Sequence, residues 1–402
     1  MKNRKVLWAL VGVLIIGGVV LLSMSSKSTY LPDGMNSAQA KEFEKLYQEK
    51  TPMKYQMWKD SAHGQNGVTC VNCHEDGNMD EEDLKYENFA KVKPETCAKC
   101  HEKEFEGWKD TRHVKAVSFS QNNVRYKLLD GWPAMQEQGC DNCHVKVGET
   151  CTSCHQGHTT ALPKPQTAAH NGEKVTNDPV NGCGNCHMGP DHPQKEAYES
   201  SVHYQVAQAT GGPTCVTCHT DPDNNHEIIQ LKDENSKEGR DKLWSNCLQC
   251  HTQEYTDNAR ANVEAIKKET LRVEDEARKI IKDLYRDGLL EPSPGSLLDK
   301  DGTPLLNGKG TSYSQVSHIE SLMFELFKYS EATTIKGAQH FSPDYTHWHG
   351  AADLWSKYQE IKDEAEKMRT EAKIQEKTGV VEEKLPMYQY EKSTGKELET
   401  LK

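Results

Sequence analysis

All fourteen cysteines of this 402-residue chain fall in seven copies of one pattern, Cys-x-x-Cys-His. The first two copies are Cys70 with Cys73 and His74, and Cys97 with Cys100 and His101. The next three are Cys140 with Cys143 and His144, Cys151 with Cys154 and His155, and Cys183 with Cys186 and His187. The last two are Cys215 with Cys218 and His219, and Cys247 with Cys250 and His251. Zinc knuckles would not need a histidine directly after every second cysteine, and a disulfide framework would not need the paired spacing at all. The pattern is the attachment signature of c-type haem. The two thiols form thioethers with the porphyrin, and the adjacent histidine binds the iron from one side. The chain is therefore expected to carry seven covalently bound c-type haems, and any fold must be built round them.

Composition agrees. The chain is 35% apolar and 27% charged with only seven Phe, a poor supply for a conventional core of this length. Porphyrins are large apolar bodies that side chains can pack around, so they make up the deficit. The expected class is mainly α with little regular sheet. The formal charge is -12, with no strongly basic patch, nucleotide motif or flavin signature, so nucleic acid is not an expected partner.

Five segments follow from the pattern. Residues 1–26 hold Lys2, Arg4 and Lys5 and then an uncharged run from Val6 to Met24. About 20 such residues cross a bilayer as a helix, and the basic flank stays inside. A single-pass anchor facing the periplasm is expected, with cleavage near Ser23 to Ser26 and a soluble periplasmic protein as the alternative. Residues 27–66 read as a polar lead-in with a helix at about Ala38 to Gln48. Residues 67–252 form the haem domain, whose crowded motifs bring the haems near contact for electron hopping. Residues 253–378 are helical, and 379–402 are a polar tail.

The helical segment has three parts. Glu254 to Arg286, closed by Gly288, carries Val263, Ile266, Thr270, Val273, Ala277, Ile280 and Leu284 at heptad spacing. A second helix is expected at about Ser314 to Thr333. A third, Ala351 to Lys377, repeats the spacing through Leu354, Tyr358, Ile361, Ala365, Met368 and Ala372. The seams could close within the chain as a bundle, or between copies as an oligomer, which their charged flanks favour.

Iron with two protein ligands only passes electrons, whereas iron with one can also bind a substrate. Of eighteen histidines, seven belong to motifs. Among the rest, His63, His113, His158, His203, His226 and His340 are the expected second ligands, with His318 next.

Several stretches together resemble the multihaem hydroxylamine oxidoreductases. They are Cys140 to His155, Cys183-Gly-Asn-Cys-His-Met-Gly-Pro-Asp-His192, Ser201-Val-His203, the last motif with its long helix and Asp287-Gly288-Leu289, and His340-Phe-Ser-Pro-Asp-Tyr-Thr-His-Trp-His-Gly350. The resemblance covers about residues 65–375. That family has eight haems, and the pattern fits best if the family's first is missing here. The resemblance implies that the iron of the Cys140 motif is catalytic with His144 its sole protein ligand. It also implies that Asp191 and His192 line the distal pocket and that the protein is a trimer built on its C-terminal helices.

The pocket residues carry their own chemistry. Pro193 is expected to open a helix through about Val206, whose free N–H groups would favour an anion such as nitrite. Histidine beside a carboxylate is a proton carrier. Oxidative relatives carry a tyrosine from a neighbouring subunit cross-linked to the catalytic haem. Alignment puts His347 at that position; Tyr345 lies two residues away, where a shifted gap would restore the tyrosine, and His349 is close by. The expected activity is therefore reduction of hydroxylamine or nitrite to ammonium, with electrons from a quinol-linked or periplasmic cytochrome. The alternatives are hydroxylamine oxidation at the same site and a non-catalytic, membrane-anchored electron relay.

Overall fold

The computed structural model describes residues 31, 36–74, 92–116, 146–155, 157–159, 182–231, 236–291 and 317–379. The apolar run Val6 to Met24, the third motif with Cys140, Cys143 and His144, His170 and the polar tail lie outside them. Among the described residues no helix is long and apolar enough to cross a membrane. The chain forms two compact units, one from Met1–Cys100 with His155–Leu162 and one from His101–Cys154 with Pro163–Lys402.

In the first unit, α1 (Ser37–Lys50) starts at a capping box. Asn36 accepts from the Ala38 and Gln39 amides, and the Gln39 side chain accepts from the Asn36 amide at 2.9 Å. Ala40, Phe43 and Tyr47 share one buried face. They pack with Tyr55 of α2 (Pro52–Lys59) and with Cys70 and Val71 of the first motif. The first motif is thus seated on a small apolar core.

The second unit holds α3 (Glu102–Trp108), α4 (Gln194–Glu199), α5 (Val202–Thr210), a hairpin of β1 (Thr220–Asp221) and β2 (Asn224–Ile228), and α6 (Ser236–Asn246). α7 (Gln253–Arg286) starts two residues after His251, capped by Thr252, and stops at Gly288, whose φ of 69° is left-handed. α8 (His318–Glu325) runs through a π turn, Leu326–Glu331, into α9 (Ala332–Gln339). A second π turn, His347–Ala351, leads into α10 (Ala352–Thr378). The middle helix therefore runs past Thr333 to Gln339.

These C-terminal helices close on one another. Val273, Ala277, Ile281 and Leu284 of α7 meet Ile319, Leu322 and Met323 of α8, Leu326 of the π turn, and Leu354, Ile361 and Ala365 of α10. Each fully buried Leu or Ile contributes roughly 1.5–3 kcal/mol. Ile281 takes the core position that a strict heptad gives to Ile280, because a 3.6-residue helix drifts against a seven-residue repeat. Much of both seams is filled by this chain's own side chains, so heptad spacing alone does not call for a partner copy.

The helix expected from Pro193 to Val206 is two helices, broken at Ser200 and Ser201. Buried Ser201 donates to the Tyr198 carbonyl at 2.6 Å and caps α5 by accepting from the Tyr204 amide. A serine that bonds its own backbone in this way competes with helix continuation. Pro193 is the N-cap of the six-residue α4 rather than its first residue.

Candidate haem centres and an Asp–His–Lys cluster

Six of the seven motifs lie among the described residues, and none of their cysteines is half of a disulfide. Thioether attachment needs that state. Cys73 closes the single helical turn Cys70–Cys73 and is half-buried, while Cys97 lies in the short helix Pro94–Ala98 and Cys100 is exposed beyond it. Cys151 opens the tight turn Cys151–Ser153, which Cys154 ends. Cys183 opens the matching turn Cys183–Asn185, and half-buried Cys186 ends it by donating its amide to the Cys183 carbonyl at 3.2 Å. In each of these motifs the pair of thiols is thus separated by about one turn of backbone. Cys140 and Cys143 lie outside the described residues.

Among the described residues, four motif histidines face a second histidine. Ring centres are 6.3 Å apart for His74 and His158, 6.1 Å for His187 and His113, 6.2 Å for His219 and His340, and 6.0 Å for His251 and His203. An iron between two imidazoles needs about 6 Å, since each metal–nitrogen bond is about 2 Å and a ring centre lies about 1 Å beyond its nitrogen. The spacing fits the group.

The surroundings fit as well. Burial pushes the His113 and His203 imidazoles below the usual range, and takes His187 and His340 down to about 4 and His219 to about 3. These rings are held neutral, the form that ligates metal. His340 donates from Nδ1 to the Lys336 carbonyl at 2.8 Å, which leaves Nε2 for a ligand role. The turn that presents it is tight: a methyl on Gly337 or Gly350 would meet backbone atoms within 2.6 Å. Phe341, at φ 57°, sets its ring edge-on to His203. Gly148 likewise admits the His113 backbone, where a Cβ would collide with its carbonyl oxygen.

Exposed apolar side chains gather at the motifs. Val202 and Val206 flank His203, Val216 and Leu248 sit inside two attachment sequences, Met188 follows His187, and Tyr255 stacks on His251 at 4.5 Å. Surfaces of this kind suit porphyrin faces. Two successive motifs also touch: the Cys215 thiol donates a hydrogen bond to Cys183.

His158, although it faces His74, and the remaining candidates are placed differently. His158 has its Nε2 on the Tyr47 hydroxyl at 2.6 Å, not directed as His340 is. His63 lies in the short helix Ala62–Gln65 of the first unit. His226 lies on β2, its Nδ1 2.7 Å from Asn225 Oδ1. The same strand is held to α3, the helix after His101, by Asn224 donating to the Lys103 carbonyl. His101 and His155 lie among the described residues; His144 does not. His318 opens α8 on an exposed side. His347 and His349 are exposed in the second π turn, with His349 3.3 Å from Asp344 and its ring 4.9 Å from Tyr345. Burial raises the Tyr345 phenol, and Glu196 and Glu199 of α4 push it the same way.

Asp191 and His192 form one cluster with a residue that no motif announces. His192 Nδ1 is 2.8 Å from Asp191 Oδ1, and Lys328 Nζ is 3.0 Å from Asp191 Oδ2. Burial opposes ionisation of Asp191, but the hydrogen bonds from His192 and Lys328 prevail and hold its carboxyl well below the usual range. Lys328 sits on the first π turn, and in sequence it reads as an ordinary charge on a helix surface.

Three family models match parts of the chain: cytochrome c552 at residues 44–132, cytochrome c554 and c-prime at 96–188, and a seven-times multihaem Cys-x-x-Cys-His cytochrome at 218–295. A probable nitrite reductase–hydroxylamine oxidoreductase fusion protein of Kuenenia stuttgartiensis is 23% identical over 409 aligned positions, covering 76% of this chain and 45% of that one. Cytochrome c-554 of Nitrosomonas europaea is 30% identical over 119, covering 26% and 43%. The chain thus spans less than half the length of these curated relatives. A reducing HAO-like protein complex of Kuenenia stuttgartiensis shares the fold at a TM-score of 0.64 and 20% identity, covering 85% of this chain and 87% of that one. A hypothetical multiheme protein does so at 0.62 and 14%, covering 85% and 97%. Attachment sequences, facing imidazoles and these likenesses converge: the chain is a multihaem c-type cytochrome, similar in sequence to a nitrite reductase–hydroxylamine oxidoreductase fusion protein and in fold to an HAO-like one.

Proposed function

We propose that this protein reduces nitrite or hydroxylamine to ammonium, with the substrate at the iron of the motif formed by Cys140, Cys143 and His144, and the other six haems delivering electrons. Each haem, when bound, supplies one-electron carriage, and an iron with a single protein ligand also supplies a place for a small nitrogen compound. The observation that carries the reading is the Asp191–His192 pair. Asp191 stays a carboxylate, so it cannot be the proton donor. It accepts from His192 Nδ1, fixes the tautomer and leaves Nε2 to pass protons, which this reduction consumes together with electrons.

The direction draws support from two sides. His347 stands where oxidative relatives of the resembled family carry their cross-linking tyrosine, and one relative of the same fold is described as reducing. The contact between the attachment cysteines Cys183 and Cys215 suits a wire along the second unit. The same reading includes seven haems, residence on the periplasmic side through the N-terminal run, a cytochrome electron donor and a trimer.

Electron paramagnetic resonance of the oxidised holoprotein tests it. A high-spin ferric signal that changes with nitrite, and ammonium formation when a reduced dye supplies electrons, are expected. A wholly low-spin spectrum indifferent to nitrite and hydroxylamine would reduce the protein to an electron relay.

A further inference from the structure

Lys328 reaches Asp191 because of the π turn. Leu326 and Ser330 are both buried, and Ser330 donates to Asp353 Oδ2 at 2.5 Å, so this side of the turn is locked against the bundle. Lys328, two residues beyond the first and two before the second, leaves from the opposite side towards the segment that carries Asp191. Single π turns inside α-helices recur at functional sites.

Charge decides what the cluster can receive. With Asp191 alone beside His192, the cluster would present an unbalanced negative charge to anything approaching Nε2. Lys328 cancels it by pairing with Asp191 Oδ2 at 3.0 Å. The other charged groups near this segment are of both signs, and one carboxylate oxygen of Glu196 is buried without a hydrogen-bond partner. Glu196 accepts from the Gly189 amide at 2.9 Å, Lys195 is 3.8 Å from Glu199, and Lys336 of α9 adds positive charge felt at His187.

We propose that Lys328 is a positioning residue that makes this an oxyanion site, selecting nitrite, an anion at neutral pH, over hydroxylamine, which is largely uncharged there. The proposal rests on the reductase reading and adds to it a substrate class and a residue.

The test uses the holoprotein with Lys328→Met, which keeps the length of the side chain and removes its charge, and Lys328→Arg, which keeps the charge. Nitrite affinity is read from spectral titration of the oxidised protein, and KM and kcat are measured for both substrates with excess electron donor. Thermal melting shows that each variant is folded. Lys328→Met is expected to raise the Kd and KM for nitrite roughly ten-fold, the scale of one charge at several ångströms in a partly exposed site. The hydroxylamine KM should change less than about two-fold, and Lys328→Arg should restore nitrite binding. In wild type the nitrite KM should rise with salt, and in Lys328→Met this dependence should flatten. Equal losses for both substrates, or no loss for either, overturn the role of Lys328 while leaving the reductase reading standing. A wild-type protein that neither binds nor turns over nitrite or hydroxylamine rejects the reductase reading, and this proposal with it.

Discussion

The C-terminal helices and the motif-bearing stretch of the second unit are held together by different matter. From Val273 to Ala365 the core is side chain against side chain, with Ile281, Leu284, Leu326 and Ile361 wholly buried. From Cys183 to Cys250 the buried apolar residues are few, chiefly Ala197, Tyr198, Ala207 and Ile229, while Val202, Val206, Val216 and Leu248 lie exposed beside histidines. One region is complete in its own sequence; the other is shaped to a group that the sequence attaches.

The comparison breaks most visibly if one haem is withheld. In the double variant Cys215→Ser with Cys218→Ser, His219 and His340 lose the iron that would join them, and the neighbouring apolar side chains lose their cover. The mass should fall by one haem, and protease should cut around residues 200–230 far faster than between 260 and 286. Equal resistance in both regions would show that the motif segment has a sufficient core of its own.

The opposite change is Ile281→Ala. It empties a fully buried position and should cost about 2–5 kcal/mol by denaturant unfolding. The low-spin haem spectrum should not move, because the packing that Ile281 supports is that of the bundle and not of an imidazole pair. A spectral change would mean that the bundle sets ligand geometry directly. Phe341→Ala is smaller, roughly 1 kcal/mol from a lost edge-to-face contact. Its mark should be spectroscopic, because the ring lies 5.5 Å from His203 and holds it at the cost of a left-handed backbone.

The two regions also differ in how far the sequence discloses them. Heptads are periodic and local, so the C-terminal helices are legible to within a few residues, apart from the drift that exchanges Ile280 for Ile281. The attachment motifs are legible because thioether chemistry demands adjacent groups. Which histidine faces which is not, since pairs such as His203 with His251 join residues far apart in the chain. The break at Ser200 and Ser201 is hidden because either serine could equally be a helix surface position. Lys328 is hidden most completely: its meaning depends on a π turn that rotates it and on Asp191, which belongs to a different stretch of chain. Local chemistry is written locally, and the cluster is assembled by tertiary contacts.

That dependence on tertiary contacts has a counterpart three residues along the same turn. Glu331 is pressed against Glu274 of α7, and one of its oxygens is buried without a hydrogen-bond partner. Burial, then the negative charge of Glu274, push its carboxyl up to about 8; Arg278, which pairs with Glu274, pulls it down, and Asp275 pushes it further up. The folded protein therefore binds a proton that the unfolded chain releases above its ordinary value of about 4.3. Where the native state holds more protons, stability falls as pH rises. The contribution is fully present below about 4.3, is lost progressively up to about 8, and stays lost above that. Glu331→Gln keeps the shape and removes the titration. It should leave the melting temperature nearly unchanged at pH 5 and raise stability at pH 8, on the order of 1 kcal/mol once partial exposure is allowed for. A gain of the same size at both pH values would point to packing instead, and a loss at pH 8 would mean that Glu331 is ionised and held by Arg278.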